Sequence, residues 1–202
     1  AITKKGKGFR PAELDATGYH GVSGAGGRKK ERETFTSAFS RTMVDLGAKY
    51  DDLVAITAAM PDGTGLDSFA REYPDRFVDV GIAEQHAVTL ACGLAFGGAR
   101  LVAAIYSTFI PRACDQVIHD AALQRAPVVL ALDRGGVVGA DGPTHHGVFD
   151  IAFFLSVPNV RLAAPRNCRI LEMILNRSVE FCMDPTLIRY PRGEEPAVES
   201  PE

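Results

Sequence analysis

Val128-Val129-Leu130-Ala131-Leu132, followed at once by Asp133-Arg134-Gly135-Gly136, decides how this chain folds. The run is apolar throughout, with no polar residue at alternate positions. A strand of that kind is covered on both faces, and such strands belong to parallel sheets flanked by helices. The flanking sequence has the same grammar. On the N-terminal side, short apolar runs at 53–57, 77–80 and 101–106 read as strands. Between them, Phe35, Ala38, Phe39, Met43 and Leu46 keep helical spacing, as do Ala87, Val88, Ala91, Leu94 and Ala95 before Gly97-Gly98 ends that helix. Cys114, Val117, Ile118 and Ala121 form a further helical face. On the C-terminal side come a strand at 161–164, a helix opened by Asn167 with Ile170, Leu171, Ile174 and Leu175 inward, and a strand at 186–190. The sum is an α/β domain with a largely parallel sheet of about six strands, helices on both faces and right-handed crossovers.

The 202 residues suffice for one domain with a real core, and 46% hydrophobic content is that of a globular protein. A net charge of −3 gives no basic face for nucleic acid. No apolar run approaches the roughly 20 residues that a membrane span requires. The Lys- and Gly-rich start has no apolar core of a secretory signal. The four cysteines, Cys92, Cys114, Cys168 and Cys182, form no CxxC pair and read as buried free thiols of a reducing, cytoplasmic setting. Residues 1–33 lack periodicity and read as an extended or partly disordered junction arm, 34–193 as the folded domain, and 194–202 as the start of another linker. The opening Ala1-Ile2-Thr3 has no Met and is read as a cut inside a longer protein.

In parallel sheets ligands bind at the carboxyl ends of strands. Four strand ends here carry unusual residues: Gly81-Ile82-Ala83-Glu84-Gln85-His86; Tyr106-Ser107-Thr108-Phe109 and then Arg112; Asp133-Arg134-Gly135-Gly136 with Gly139-Ala140-Asp141-Gly142-Pro143-Thr144-His145-His146-Gly147; and Arg189-Tyr190-Pro191-Arg192-Gly193. Together they put carboxylates, imidazoles, arginines and aromatics along one edge, which favours a site there. Each residue also has a structural reading. Glu84 could serve only the dipole at a helix start, and His86 could be a hydrogen-bonded core histidine. Arg134 and Arg192 could be surface ion-pair residues, Asp133 a loop brace, and Tyr106 and Phe109 core. His119 and Asp120 read as structural. Arg112 opposes the dipole at a helix start, so it should answer a carboxylate or an anion. The Gly-rich loop lacks Gly-Lys-Ser/Thr and is no P-loop. His86, His145 and His146 lack the spacing of a zinc site, and no metal ligands are expected in this chain.

These motifs, with Asp115-Gln116-Val117-Ile118-His119-Asp120, resemble the 1-deoxy-D-xylulose-5-phosphate synthases of the transketolase superfamily, in order from about Phe35 to Gly193. Thr3-Lys4-Lys5-Gly6-Lys7-Gly8 and Tyr19-His20-Gly21-Val22 resemble the end of that family's first domain. The resemblance implies a thiamin-diphosphate-binding fold of the pyrimidine type. It implies a homodimeric enzyme that condenses pyruvate with glyceraldehyde 3-phosphate, releases carbon dioxide, and feeds isoprenoid, thiamin and pyridoxal synthesis. It implies that Glu84 bonds the aminopyrimidine ring nitrogen, Phe109 stacks on that ring, and Arg112 and His86 lie beside the cofactor. Tyr106, Arg134 and Arg192 would hold the acceptor's phosphate, Asp141 and His145 would lie near the reacting carbons, and His20 would be an active-site histidine on the arm. The family's Gly-Asp-Gly with its downstream Asn, which binds magnesium (Mg) and the diphosphate, does not occur here. The chain is therefore expected to be inactive alone, its diphosphate-binding and C-terminal domains lying elsewhere. Ile110-Pro111 stands where the family has Leu-Gln, and Gly136 where it has Ala. A split transketolase or 2-oxoacid dehydrogenase β-type subunit stays open as an alternative, though Tyr190-Pro191-Arg192-Gly193 speaks against it; so does a non-catalytic relic, though the intact residue set speaks against that.

Overall fold

A computed structural model describes residues 3–15, 19, 32–139 and 141–195. The chain divides into two units, Ala1–Glu31 and Arg32–Glu202. In the first, where an extended arm is expected, Arg10–Leu14 forms a short helix (α1) with Pro11 in its first turn, where a missing N–H costs nothing. Glu13 holds it to the preceding turn, accepting from Lys4 Nζ at 2.8 Å and from the Gly8 N–H at 2.9 Å. Residues 1–2, 16–18 and 20–31 of the arm lie outside the described residues.

In the second unit the elements run α2 (Phe35–Lys49), β1 (Leu53–Thr57), α3 (Pro61–Thr64), α4 (Asp67–Glu72), β2 (Phe77–Asp79), α5 (Glu84–Phe96), β3 (Arg100–Tyr106), α6 (Cys114–Gln116), β4 (Val128–Asp133), α7 (Asp150–Phe154), β5 (Arg161–Ala163), α8 (Cys168–Glu180) and β6 (Thr186–Arg189). The six strands form one sheet, all parallel, in the order β2-β1-β3-β4-β6-β5. Every residue of β4 is buried, as its unbroken apolar run requires. Alternate strand residues feed two cores. Ala55, Val102, Ala104, Val129, Ala131 and Ile188 meet α2, α4 and α8 on one face. Ala103, Ile105, Val128, Leu130, Leu132 and Leu187 meet α5 and the segment after β3 on the other. Each fully buried Val, Leu or Ile side chain contributes about 1.5–3 kcal/mol, and each alanine less.

The helix starts follow local chemistry. Thr34 caps α2 in a reciprocal pair with Ser37, and the Asn167 side chain caps α8 by accepting from the Ile170 N–H at 2.8 Å. The helix expected around 114–121 is irregular: a 3-10 turn (Ile110–Ala113), α6, then a π-helical turn (Val117–Ala122). The Leu123 N–H bonds back five residues to the Ile118 carbonyl at 3.0 Å. This wider turn rotates the later side chains, so Val117, Ala121 and Ala122 are buried while Ile118, expected inward, is 39% exposed. Leu94, Ile170 and Ile174 are half-buried where full burial is expected. All four cysteines are free; Cys92 and Cys168 are buried, but Cys114 and Cys182 are only partly so.

Candidate active site

The chain leaves β1 for β2 on one side and returns to β3 on the other. The connections therefore part at the carboxyl ends of β1 and β3, where open α/β sheets bind ligands. At that point Asp79 ends β2 and its Oδ1 accepts from two backbone donors, the Ala59 N–H at 2.8 Å and the Gly81 N–H at 2.9 Å. Gly81 has φ +70°, a backbone that glycine adopts freely. The turn it makes delivers Glu84 to the first turn of α5.

Glu84 is 3% exposed. Its Oε1 accepts from Arg112 Nη1 at 2.5 Å, and Oε2 has no hydrogen-bond partner among the described residues. The Arg112 side chain is half-exposed and its guanidinium lies 4.6 Å from the centre of the Phe109 ring. A row of rings continues from there. Phe109 stacks near-parallel on Tyr106 at 5.6 Å and meets the edge of His145 at 5.8 Å. Thr108 Oγ1 donates to the Thr144 carbonyl at 3.1 Å, tying the segment after β3 to the loop that carries His145. Burial pushes the Tyr106 phenol up to about 12. The Arg134 guanidinium lies over the other end of the row, 3.8 Å from the Tyr106 ring centre.

Arg134 follows β4. Its Nε donates to Asp141 Oδ2 at 3.2 Å and its Nη1 to the Gly63 carbonyl at 2.8 Å. Arg192, after β6, donates to the other oxygen of Asp141. One carboxylate on the Gly-rich loop thus gathers two arginines from different strand ends. The base of that loop is closed by paired backbone bonds between Gly136 and Gly147, at 2.7 and 2.9 Å. Beneath it lies a buried knot. Asp150, 1% exposed, accepts from Ser107 Oγ at 2.8 Å and from Arg189 Nε at 2.7 Å.

Of the residues picked from the sequence, Glu84, Arg112, Phe109, His145, Tyr106, Arg134, Asp141 and Arg192 form one continuous chain of contacts along the edge. Arg112 answers a carboxylate, as its position against the helix dipole requires. His86 is not in this chain of contacts: it is exposed and has no hydrogen bond, ion pair or ring contact with described residues. The core-histidine reading fails with it, since the first turn of α5 turns this side chain to solvent. His20 lies outside the described residues. His119 and Asp120 pair with each other on the surface, and Asp120 also accepts from Thr89. Sequence reasoning missed Asp150, the Gly63 carbonyl and Thr36. Asp150 sits three residues past the Gly-rich motif and Arg189 opens the last one, so their opposite charges were the available signal; a backbone carbonyl gives none.

The family described as "Transketolase, pyrimidine binding domain" matches residues 32–196. The 1-deoxy-D-xylulose-5-phosphate synthase of Halothermothrix orenii is 54% identical over 203 residues, covering 98% of this chain and 32% of that protein. The 1-deoxy-D-xylulose-5-phosphate synthase 1 of Geobacter sulfurreducens is 52% identical over 199 residues, covering 95% and 31%. The chain spans about a third of the length of these curated relatives. Among solved structures, a split gene transketolase described as an inactive beta4 tetramer aligns with a TM-score of 0.71 and 26% identity, over 84% of this chain and 55% of that one. Transketolase from Leishmania mexicana aligns with a TM-score of 0.75 over 85% of this chain and 27% of its own; at 18% identity that likeness is one of fold.

Proposed function

The chain belongs to the transketolase pyrimidine-binding domain family, and we propose that it is the central domain of a 1-deoxy-D-xylulose-5-phosphate synthase. That enzyme is a transketolase-type transferase joining pyruvate to glyceraldehyde 3-phosphate with loss of carbon dioxide. The observation that carries this reading is Glu84: a carboxylate 3% exposed, with one oxygen paired to Arg112, which lies over the half-buried Phe109 ring, and the other without a hydrogen-bond partner among the described residues. Those features fit the aminopyrimidine half of thiamin diphosphate, which needs an acceptor at a ring nitrogen and a flat apolar surface beneath it. When bound, the cofactor supplies a carbon nucleophile for the donor's keto carbon. Glu84 holds the proton at the ring nitrogen, and a positioned carboxylate in a site shielded from water is suited to that. Phe109 provides the stacking surface, with Arg112 and His86 beside the ring.

Tyr106, Arg134 and Arg192 bind the acceptor's phosphate, because a guanidinium fork matches phosphate oxygens. His145, against Phe109, and Asp141, between the arginines, line the place where the two substrates meet; His20 joins them from the arm. The diphosphate and magnesium belong to a preceding diphosphate-binding domain. Residues 1–33 are the junction from it and 194–202 the linker to a C-terminal domain, in a cytoplasmic homodimer. In the complete enzyme, Glu84→Gln should lower turnover by roughly 10²–10⁴-fold, as for the loss of one acid–base group. Product formation from pyruvate and glyceraldehyde 3-phosphate measures this; an unchanged rate overturns the assignment. The structural likeness to a split gene transketolase favours a second reading, a separate transketolase subunit. The same assay decides it, since that enzyme would not form product from pyruvate.

A further inference from the structure

Asp133, the last residue of β4, is fully buried, and its carboxylate is held between Arg134 and Thr36 of α2. Its Oδ1 accepts from the Arg134 N–H at 2.6 Å. Its Oδ2 accepts from Thr36 Oγ1 at 2.9 Å and lies 3.1 Å from Arg134 Nη1. Arg134 itself has φ +64°, a left-handed backbone that an L side chain adopts at a cost. The short bond from its own N–H to Asp133 is the local contact that holds it there.

The donors of the guanidinium can be followed one by one. Nε is taken by Asp141, and Nη1 is shared between the Gly63 carbonyl and Asp133. Nη2 has no hydrogen-bond or ion-pair partner among the described residues, so its donors are free. The side that fixes Nη1 is rigid. A Cβ on Gly63 would stand 2.0 Å from the Tyr106 hydroxyl, so α3 packs backbone-first against that ring. Asp133 and Gly63 thus grip one nitrogen and leave the other without a hydrogen-bond partner among the described residues.

We propose that Asp133 is a positioning residue for acceptor recognition: it fixes Arg134 in a left-handed backbone and orients the guanidinium so that Nη2 faces the acceptor's phosphate. This rests on the reading of Arg134 as a phosphate anchor. Burial pushes the Asp133 carboxyl up to about 6, against the pull of Arg134, the Thr36 hydroxyl and Arg192, so holding the charge in the interior costs stability. Tyr190 and Tyr106 also face this region, and Asp141 lies across the guanidinium from it.

The test compares two acceptors in the complete enzyme, glyceraldehyde 3-phosphate and unphosphorylated glyceraldehyde. Asp133→Asn should raise the KM for the phosphorylated acceptor by about 10-fold, as for a misaimed charge-assisted contact, with changes under about 2-fold in the pyruvate KM and in use of glyceraldehyde. Arg134→Met should show the same selectivity more strongly. If Arg134→Met is selective and Asp133→Asn behaves like wild type, the positioning role is overturned and the phosphate anchor stands. If Arg134→Met loses both acceptors equally, the anchor fails and Asp133's role goes with it. Should Asp133→Asn not fold, Thr36→Val removes one of its partners at a half-buried position. That variant should raise the same KM by about 2- to 3-fold, and a wild-type value there overturns the inference.

Discussion

Glu84 and Arg112 come from different connections, 28 residues apart, yet meet as an ion pair in which one partner is buried and the other half-exposed. That Arg112 would answer an anion was legible in advance, though not that Glu84 would be that anion. An arginine at a helix start works against the dipole, so it needed an anion nearby. Arg134 was less legible. Its charge marked it, but its left-handed backbone and its bond to the Gly63 carbonyl have no counterpart in residue identity. Asp133 was readable only as a loop brace, because burial at a strand end depends on what the helices above it cover. Its acidity gives a separate expectation. In the folded chain its carboxyl titrates near 6, against an ordinary value of 3.8. Between those values the folded state holds a proton that the unfolded state has released. The contribution of Asp133 to stability therefore falls as pH rises through this window, by at most on the order of 3 kcal/mol, and its cost is fully present above about pH 6. Urea unfolding of wild type and Asp133→Asn across pH 4 to 7 should show wild type losing stability relative to the variant as pH rises. Parallel curves would refute it.

The strands and the three long helices follow from apolar spacing alone, because each has one dominant face or none exposed. The segment after β3 does not. Pro111 and the π turn break the period that made Ile118 look inward, and apolar spacing carries no sign of the change in hydrogen bonding from four residues back to five. The Gly-rich loop was legible as a turn-rich connection but not as a hinge-pinned one. Its pin is Gly147, where a Cβ would stand 2.3 Å from Ser107 Oγ and 2.5 Å from the Arg134 carbonyl. Gly147→Ala has no room to relax without moving the Ser107–Asp150–Arg189 knot. It should destabilise the chain by about 1–3 kcal/mol, the usual cost of overpacking. Thermal unfolding measures this; a wild-type midpoint would mean that the loop base is looser than its paired backbone bonds suggest.

Taken as a whole, the molecule presents its site residues on one edge of a sheet whose interior is ordinary packing. That division explains why the fold could be read from hydrophobic pattern while the site needed the topology to bring four connections together. It also bounds what the chain does by itself. Glu84 has an oxygen without a hydrogen-bond partner among the described residues, and Ile82, two residues before it, is 81% exposed. Titration calorimetry of the 202-residue chain with thiamin diphosphate and magnesium should give no tight binding; a micromolar dissociation constant would show that this edge suffices.

The strand order also has a consequence for how the protein is made. β5 pairs only with β6, and β6 pairs with β4 on its other side. During synthesis β5 therefore emerges with no neighbour to join, and β4 waits with an open edge until residues 186–189 arrive. The last strand of this sheet to be made is therefore the one that joins β5 to the other four. It carries Arg189 for the buried knot and is followed three residues later by Arg192, so the nascent chain gains its complete sheet and the arginine end of its site within the same few residues.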